Sequence, residues 1–134
     1  MTARIPNSDR AVIEPIKLHG YLLSTSHPVG RFKAAFFLLL GYTADAWQRL
    51  ESDLRLQHLT QETELRETTA YGQKYEIRAT LMGPAGIPAD VVSVWIVLKD
   101  EEVARFITAY PGGNRSNIDH SIQSFWIATY PCTH

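Results

Sequence analysis

Two patterns of apolar residues divide the chain into a helical first half and an extended second half. Before about residue 60, apolar side chains recur at spacings of three and four, as at Trp47, Leu50 and Leu54. This spacing is typical of one face of a helix. It predicts helices over about 15–23, 28–40 and 44–58.

The second of these helices has the clearest boundaries. Pro28 suits a first helical position, where its missing N–H removes no hydrogen bond, and Gly41 suits the left-handed residue that follows a last turn. Residues 34–40 are all apolar, which predicts burial on most sides of the helix. Arg31 and Lys33 stand in its first half, where the helix dipole disfavours cations.

The second half of the chain has a period of two. Ile77, Ala79 and Leu81 alternate with polar residues, as in a sheet with one wet face, and 91–98 is apolar on both faces, as in a central strand. The predicted strands are 65–69, 74–82, 91–98 and 105–110. Short turn-like connections between them predict an antiparallel meander.

These elements predict an α+β fold, in which the N-terminal helices pack on a four-stranded antiparallel meander sheet. The apolar 28–40 helix is expected to lie across the dry face of this sheet. We expect a single domain over 1–112, followed at 113–134 by a C-terminal tail or an extra edge strand, which would be a fifth strand. Because 125–131 repeats the pattern of 106–111, the tail is also a candidate contact for a homodimer.

Composition excludes a disordered chain, since 45% of the 134 residues are hydrophobic and 20% are charged. The net charge of -1 gives no overall basic field, so binding to RNA would depend on a local patch. The single cysteine, Cys132, cannot form an internal disulfide, and the N-terminus lacks the apolar core of a signal peptide. The longest apolar run is far shorter than the ~20 residues that span a membrane. We expect a cytoplasmic protein with no membrane partner.

Most forms of catalytic site find no support in the sequence. The five histidines do not pair at the spacing of a zinc motif, and one cysteine cannot complete such a site. We therefore expect no metal and no cofactor. The chain has no Gly-x-Ser-x-Gly elbow, and 83–86 lacks the Lys-Ser/Thr of a phosphate loop.

General acid–base chemistry is left as the best candidate. His27 is the candidate acid or base, because imidazole is the side chain whose charge ordinarily changes near neutral pH. The N–H groups of a helix start attract anions, so Gly30, Arg31 and Lys33 form a candidate phosphate site beside it. Each residue also has a structural explanation. His27 can cap the helix, while Arg31 and Lys33 can be surface cations with their stems folded along the protein.

The predicted sheet supplies the other candidates. Thr108 and Tyr110 are two residues apart and so share one face of a strand, whereas Tyr75 and Arg78 do not share a face without a bulge. For the tyrosines, a half-buried packing role with the hydroxyl at the rim is the alternative.

Four segments carry a resemblance to a known family: 27–41, which begins His-Pro-Val-Gly-Arg, then Tyr-Gly-Gln-Lys-Tyr at 71–75, Val-Trp-Ile-Val at 94–97 and Thr-Ala-Tyr-Pro at 108–111. Over about 5–111 the chain resembles an uncharacterised bacterial domain family whose members are small proteins or C-terminal modules. That family has no settled activity.

The order of helices and strands is also similar, more loosely, to the metal-independent toxin ribonucleases of the barnase, EndoU, colicin and RelE type. This likeness implies attack of the RNA 2′-hydroxyl on the adjacent phosphate, and a small cognate antitoxin or immunity protein as partner. The implied catalytic residues are His27, Arg31 and Lys33 from the helix, and Tyr75, Arg78, Thr108 and Tyr110 from the sheet. The chain departs from that class because the sheet carries no second histidine opposite His27.

Two other functions fit the sequence. One is a non-catalytic interaction module, such as an immunity or antitoxin-like protein. The other is a domain that binds a small anion or a nucleotide. A convergence of His27, Arg31 and Lys33 with residues of the sheet would favour the ribonuclease. A contiguous apolar patch, to which Phe125 and Trp126 would contribute, would favour the interaction module.

Overall fold

A computed structural model describes residues 4–28 and 31–112 of the chain. Within these residues three helices precede four strands, so the fold is α+β as predicted. Helix α1 begins as Pro15–Lys17 and continues in π-helical form over Leu18–Leu22; α2 is Arg31–Leu39; α3 begins as Trp47–Asp53 and continues in π-helical form over Leu54–His58. Short 3-10 turns lie at Ser8–Arg10 and Ala44–Ala46. The strands are β1 Glu64–Thr68, β2 Gly72–Met82, β3 Pro88–Leu98 and β4 Ala104–Pro111.

The four strands form the predicted antiparallel meander, in the order β1-β2-β3-β4. Strands β2 and β3 pair without interruption from Gly72 opposite Leu98 to Met82 opposite Pro88. The pairing of β3 with β4 contains a bulge beside Val94. Such a bulge bends the strand and re-aims the side chains that follow it. The fifth-strand prediction for 113–134, and the homodimer contact placed there, lie outside the described residues.

The N-terminal arm extends the sheet at the free edge of β4. Val12 forms a parallel bridge with Arg105: its N–H donates to the Ala104 carbonyl at 2.8 Å, and its carbonyl accepts from the Phe106 N–H at 2.9 Å. An open strand edge is a pairing hazard, so this arm protects part of β4.

The sheet has one apolar cluster on each face. The larger core joins the helices to the sheet through residues such as Leu18, Phe37, Leu54, Ile77 and Trp95. The smaller cluster contains Val92, Val94, Ile96, Ile107 and Tyr110. Successive side chains of β3 alternate between the two clusters, as the period of two requires.

Helix α2 is less buried than its sequence predicts. Phe37 and Leu40 enter the larger core, but Leu38 is 40% exposed and Leu39 is 74% exposed. The prediction of burial on most sides is therefore wrong. The helix also does not take its predicted position across the dry face of the sheet. Instead, α2 packs mainly against α1, and the helical segment that packs on β2 is Leu54–His58. Because α2 packs against its neighbour along one face only, its opposite face is left in contact with solvent.

The end of α2 follows the predicted capping. Gly41 has φ +97°, its N–H donates to the Leu38 carbonyl at 2.9 Å, and the Tyr42 N–H donates to the Phe37 carbonyl at 3.1 Å. This pair of bonds is the Schellman arrangement, which places a left-handed residue after the last turn. A Cβ atom at Gly41 would lie 2.6 Å from the backbone nitrogen of Ala85.

The larger core contains a short polar chain. His58 Nδ1 lies 2.7 Å from Ser93 Oγ, which also accepts a hydrogen bond from Trp95 Nε1 at 2.9 Å. All three residues are fully buried, and His58 Nε2 has no hydrogen-bond partner among the described residues. Burial lowers the pKa of His58 to about 4; the Ala79 backbone and the Asp90 carboxylate oppose this shift. The core therefore holds His58 as a neutral imidazole.

Among the described residues, no helix combines the length and the apolar character that crossing a membrane requires.

Candidate functional site

The side chain of Lys33 lies inside the protein, although lysine is almost never fully buried. It is 1% exposed. Its Nζ is hydrogen-bonded to Thr108 Oγ1 and lies 3.3 Å from the Tyr21 hydroxyl and 5.3 Å from the centre of the Tyr21 ring. Residues from α1, α2 and β4 thus meet around one amine.

The position of Lys33 on its helix explains its burial. Lys33 precedes Phe37 by four residues, so both side chains lie on the face of α2 that turns towards the core. Arg31 stands at the first position of α2 and is exposed. Of the two cations at this helix start, Arg31 therefore suits the interpretation as a surface cation, whereas Lys33 does not.

Burial controls the protonation of the groups around Lys33. It lowers the pKa of Lys33 well below the ordinary value, and charge repulsion from Lys17 lowers it further. Burial also lowers the pKa of Lys17 to about 8, against the opposing charge of Glu14. The pKa of Tyr21 is raised to about 12 by burial, although its hydrogen bond with Thr108 opposes the rise. At neutral pH the site holds a protonated phenol beside an amine that loses its proton easily.

His27 lies next to this group and also takes part in the start of α2. Its ring meets the Tyr21 ring edge-on, with 4.9 Å between the ring centres. Its N–H donates to Ser24 Oγ at 3.1 Å, and its carbonyl accepts from the Arg31 N–H at 3.1 Å. The backbone of His27 therefore helps to start the helix, while its half-buried ring faces the site.

The other candidates from the sheet have different surroundings. The Tyr75 hydroxyl donates to Gln73 Oε1 at 3.0 Å. Arg78 forms an ion pair with Asp90 at 2.5 Å at the surface. Tyr110 is buried in the smaller cluster. The structure thus brings His27, Lys33 and Thr108 together around Tyr21. The side chains of Tyr75, Arg78 and Tyr110 make other contacts instead. Gly30 lies outside the described residues.

Lys17 and Tyr21 are the two residues of the site that the sequence analysis did not select. They are four residues apart on α1, a spacing that puts two helical side chains on the same face. The signal available in the sequence was this pairing of a cation with a phenol, one turn apart, shortly before a second basic helix start.

The residues that the structure describes contain no group of three or more His, Cys, Asp or Glu side chains that could hold a metal ion. The groups that converge are an imidazole, a phenol, an alcohol and two amines. These groups can move protons and stabilise negative charge.

Comparison with protein families assigns residues 4–113 to the domain of unknown function DUF6883. The chain belongs to the DUF6883 family. This match confirms the resemblance to an uncharacterised domain family, and it covers the helices, the sheet and the site around Lys33. No curated protein and no solved structure matches the chain.

Proposed function

We propose that this DUF6883 domain is a ribonuclease that needs no metal ion and cleaves RNA by attack of a 2′-hydroxyl on the adjacent phosphate. The observation that carries the proposal is the convergence of Lys33, Tyr21 and Thr108 from three separate elements, with the His27 ring against Tyr21. Buried titratable groups that perturb one another are typical of catalytic sites.

The proposed reaction divides the roles between these side chains. The His27 imidazole takes the proton from the 2′-hydroxyl, which then attacks the phosphorus atom and forms a cyclic phosphate. The Tyr21 phenol, which keeps its proton at neutral pH because its pKa is raised to about 12, gives that proton to the departing 5′-oxygen. The Lys17 ammonium stabilises the negative charge that builds on the phosphate oxygens, and the Lys33 amine donates hydrogen bonds to the same oxygens.

This assignment supplies a replacement for the missing second histidine of the ribonuclease class. A phenol is a weaker acid than an imidazolium, yet it is a stronger acid than the ribose alcohol that it would protonate. Arg31, exposed at the start of α2, would contact a neighbouring phosphate of the RNA chain.

The test is cleavage of total bacterial RNA by the purified protein in EDTA, with Lys33→Met, Tyr21→Phe and His27→Gln alongside. Methionine is a better choice than alanine at position 33, because the buried stem of Lys33 would leave a cavity if it were removed. Lys99→Met, at an exposed turn, is the matched control. Thermal unfolding would verify that each variant is folded.

We expect discrete cleavage by the wild type and by Lys99→Met. Each of the three site variants should be slower by about 10²-fold or more, the usual contribution of a positioned acid or base. Intact RNA after incubation with folded wild-type protein would refute the proposal. Cleavage by all three site variants at the wild-type rate would refute the assigned site.

A second candidate function is a non-catalytic interaction module, and one observation favours it. Leu38 and Leu39 expose apolar surface on α2, at 40% and 74%. Paired apolar side chains at a helix surface are suitable for contact with another protein, such as an antitoxin or immunity protein. If the folded wild type leaves RNA intact, capture of a partner that is lost in Leu39→Gln becomes the measurement that supports this function.

A further inference from the structure

Two lysines belong to the group around Tyr21: Lys33 contacts its hydroxyl, and Lys17 precedes it by four residues on α1. Lys33 is 1% exposed and Lys17 is half-buried, and the positive charge of Lys17 acts on Lys33. If both amines were charged, they would repel each other more strongly than they do in water, because the dielectric around them is low; this repulsion favours the neutral form of Lys33. An anion of matching charge placed against both amines would remove this repulsion.

Hydroxyl groups complete the donor set. Thr108 and Tyr21 both contact the Lys33 amine, and they are hydrogen-bonded to each other. One of the two hydroxyl protons is used in that bond, so the pair can donate one hydrogen bond to an oxygen atom of a ligand. Ammonium groups and hydroxyls are the donors that proteins use for phosphate. These groups come from three separate elements, α1, α2 and β4, so it is the tertiary structure that assembles them.

We infer that Lys17, Lys33, Tyr21 and Thr108 form a binding site for a tetrahedral oxyanion with two negative charges, such as a phosphate monoester, and that the protein takes up a proton when this anion binds. The inference rests on the proposed function in one respect, because the same amines would contact the phosphate that is cleaved. It adds a preference for a doubly charged ligand, and a linkage to protons that cleavage does not require.

The proton uptake follows from the surroundings of the two amines. Burial favours their neutral forms, and a bound dianion would restore their charged forms. Two further titratable groups act here among the described residues: Glu14 on α1, which holds charge on Lys17, and His27, whose ring lies against that of Tyr21. Glu14 opposes the anion, so the two lysines and the hydroxyls together must outweigh one carboxylate.

The experiment is isothermal titration of the whole chain with inorganic phosphate at constant ionic strength and pH 8.5, where the phosphate is almost wholly the dianion and releases few protons of its own. It is repeated in two buffers that differ in ionisation enthalpy, since a difference in the observed heat reports the protons exchanged. Uridine 3′-monophosphate is a second ligand, which separates a nucleotide source of the phosphate from the free anion. Dimethyl phosphate is the singly charged comparison.

We expect one phosphate per chain, with proton uptake, and binding to dimethyl phosphate that is weaker by about tenfold or more. Lys17→Met and Lys33→Met should each weaken phosphate binding about tenfold or more, while Lys99→Met binds as the wild type does. Tighter binding of uridine 3′-monophosphate than of phosphate would identify the ligand as a nucleotide, and equal binding would identify it as the free anion.

Three results would overturn the inference: no phosphate binding, binding that both site variants retain, or binding with no buffer dependence. The outcome is separable from that of the proposed function. RNA cleavage that depends on Lys33, without phosphate binding, would leave the ribonuclease and remove the oxyanion site. Phosphate binding with proton uptake, and no cleavage, would leave the oxyanion site and remove the ribonuclease.

Discussion

Acidification should destabilise this domain through His58, because the folded state holds that imidazole in its neutral form. The folded pKa is about 4 and the ordinary pKa is 6.5. Between these values the unfolded chain binds more protons than the folded chain, so the free energy of unfolding rises with pH. The loss of stability caused by His58 is absent above about pH 6.5 and complete below about pH 4. The difference between the folded and the ordinary pKa of His58 corresponds to about 3 kcal/mol of stability, from ~1.4 kcal/mol for each pKa unit.

The measurement is urea-induced unfolding of the wild type and of His58→Asn at several pH values from 7.5 to 4. Asparagine places an amide atom near the position of His58 Nδ1, where it can hydrogen-bond to Ser93, and it does not titrate. The variant should be less stable than the wild type at pH 7.5, because asparagine is smaller and leaves a void. The difference in free energy between the two proteins should then shrink by about 3 kcal/mol towards pH 4.

Comparing two proteins at each pH cancels the titration of the carboxylates and of the other histidines. A constant difference in unfolding free energy across this range would show that His58 does not hold its buried neutral state, and would refute the reasoning. Ser93→Ala provides a second test, since it removes the hydroxyl that joins His58 to Trp95 and leaves the imidazole able to titrate. The free energy of unfolding of Ser93→Ala should depend on pH as that of the wild type does.

Three further predictions concern packing and turns, and each is checked by chemical unfolding. Phe37→Ala should cost about 3–5 kcal/mol of stability through a cavity in the larger core, and a loss below 1 kcal/mol would contradict the burial of this ring. Gly41→Ala should cost about 1 kcal/mol or more, because Gly41 has a positive φ and its new Cβ would lie 2.6 Å from the Ala85 nitrogen; unchanged stability would show that this turn rearranges. Leu39→Gln should change stability by less than about 0.5 kcal/mol, since Leu39 is 74% exposed, and a larger loss would mean that its side chain is covered in solution.

Much of the fold could be predicted from the chain because local patterns encode local structure. The alternation around Ile77 predicts a strand with one buried face, and Ile77 and Leu81 are fully buried in β2. The apolar stretch at 91–98 predicts a central strand, and β3 pairs on both sides. Short turns leave antiparallel neighbours as the only pairing, so the meander order follows from the loop lengths.

The helices were harder to place, because a run of apolar residues does not state what will cover it. Residues 34–40 predict burial on most sides of α2, but Leu39 faces outward in the structure. The position above β2 is taken by the end of α3 instead. Which of several apolar helices covers a sheet depends on the competing packing of all of them, and no single sequence window contains that comparison.

For the candidate site, the sequence determined the residue types along α2, although the helix begins at Arg31 and not at the predicted Pro28. The tertiary structure decided which residues meet. His27, Arg31 and Lys33 follow from the pattern at 27–33. The contact between Lys33 and Thr108 joins positions 75 residues apart, and it depends on how α2 lies beside the edge of the sheet. Tyr21 becomes part of the site because α1 contacts both α2 and β4. Helix and strand periods are properties of neighbouring residues, whereas the dielectric around an amine depends on everything that excludes water from it.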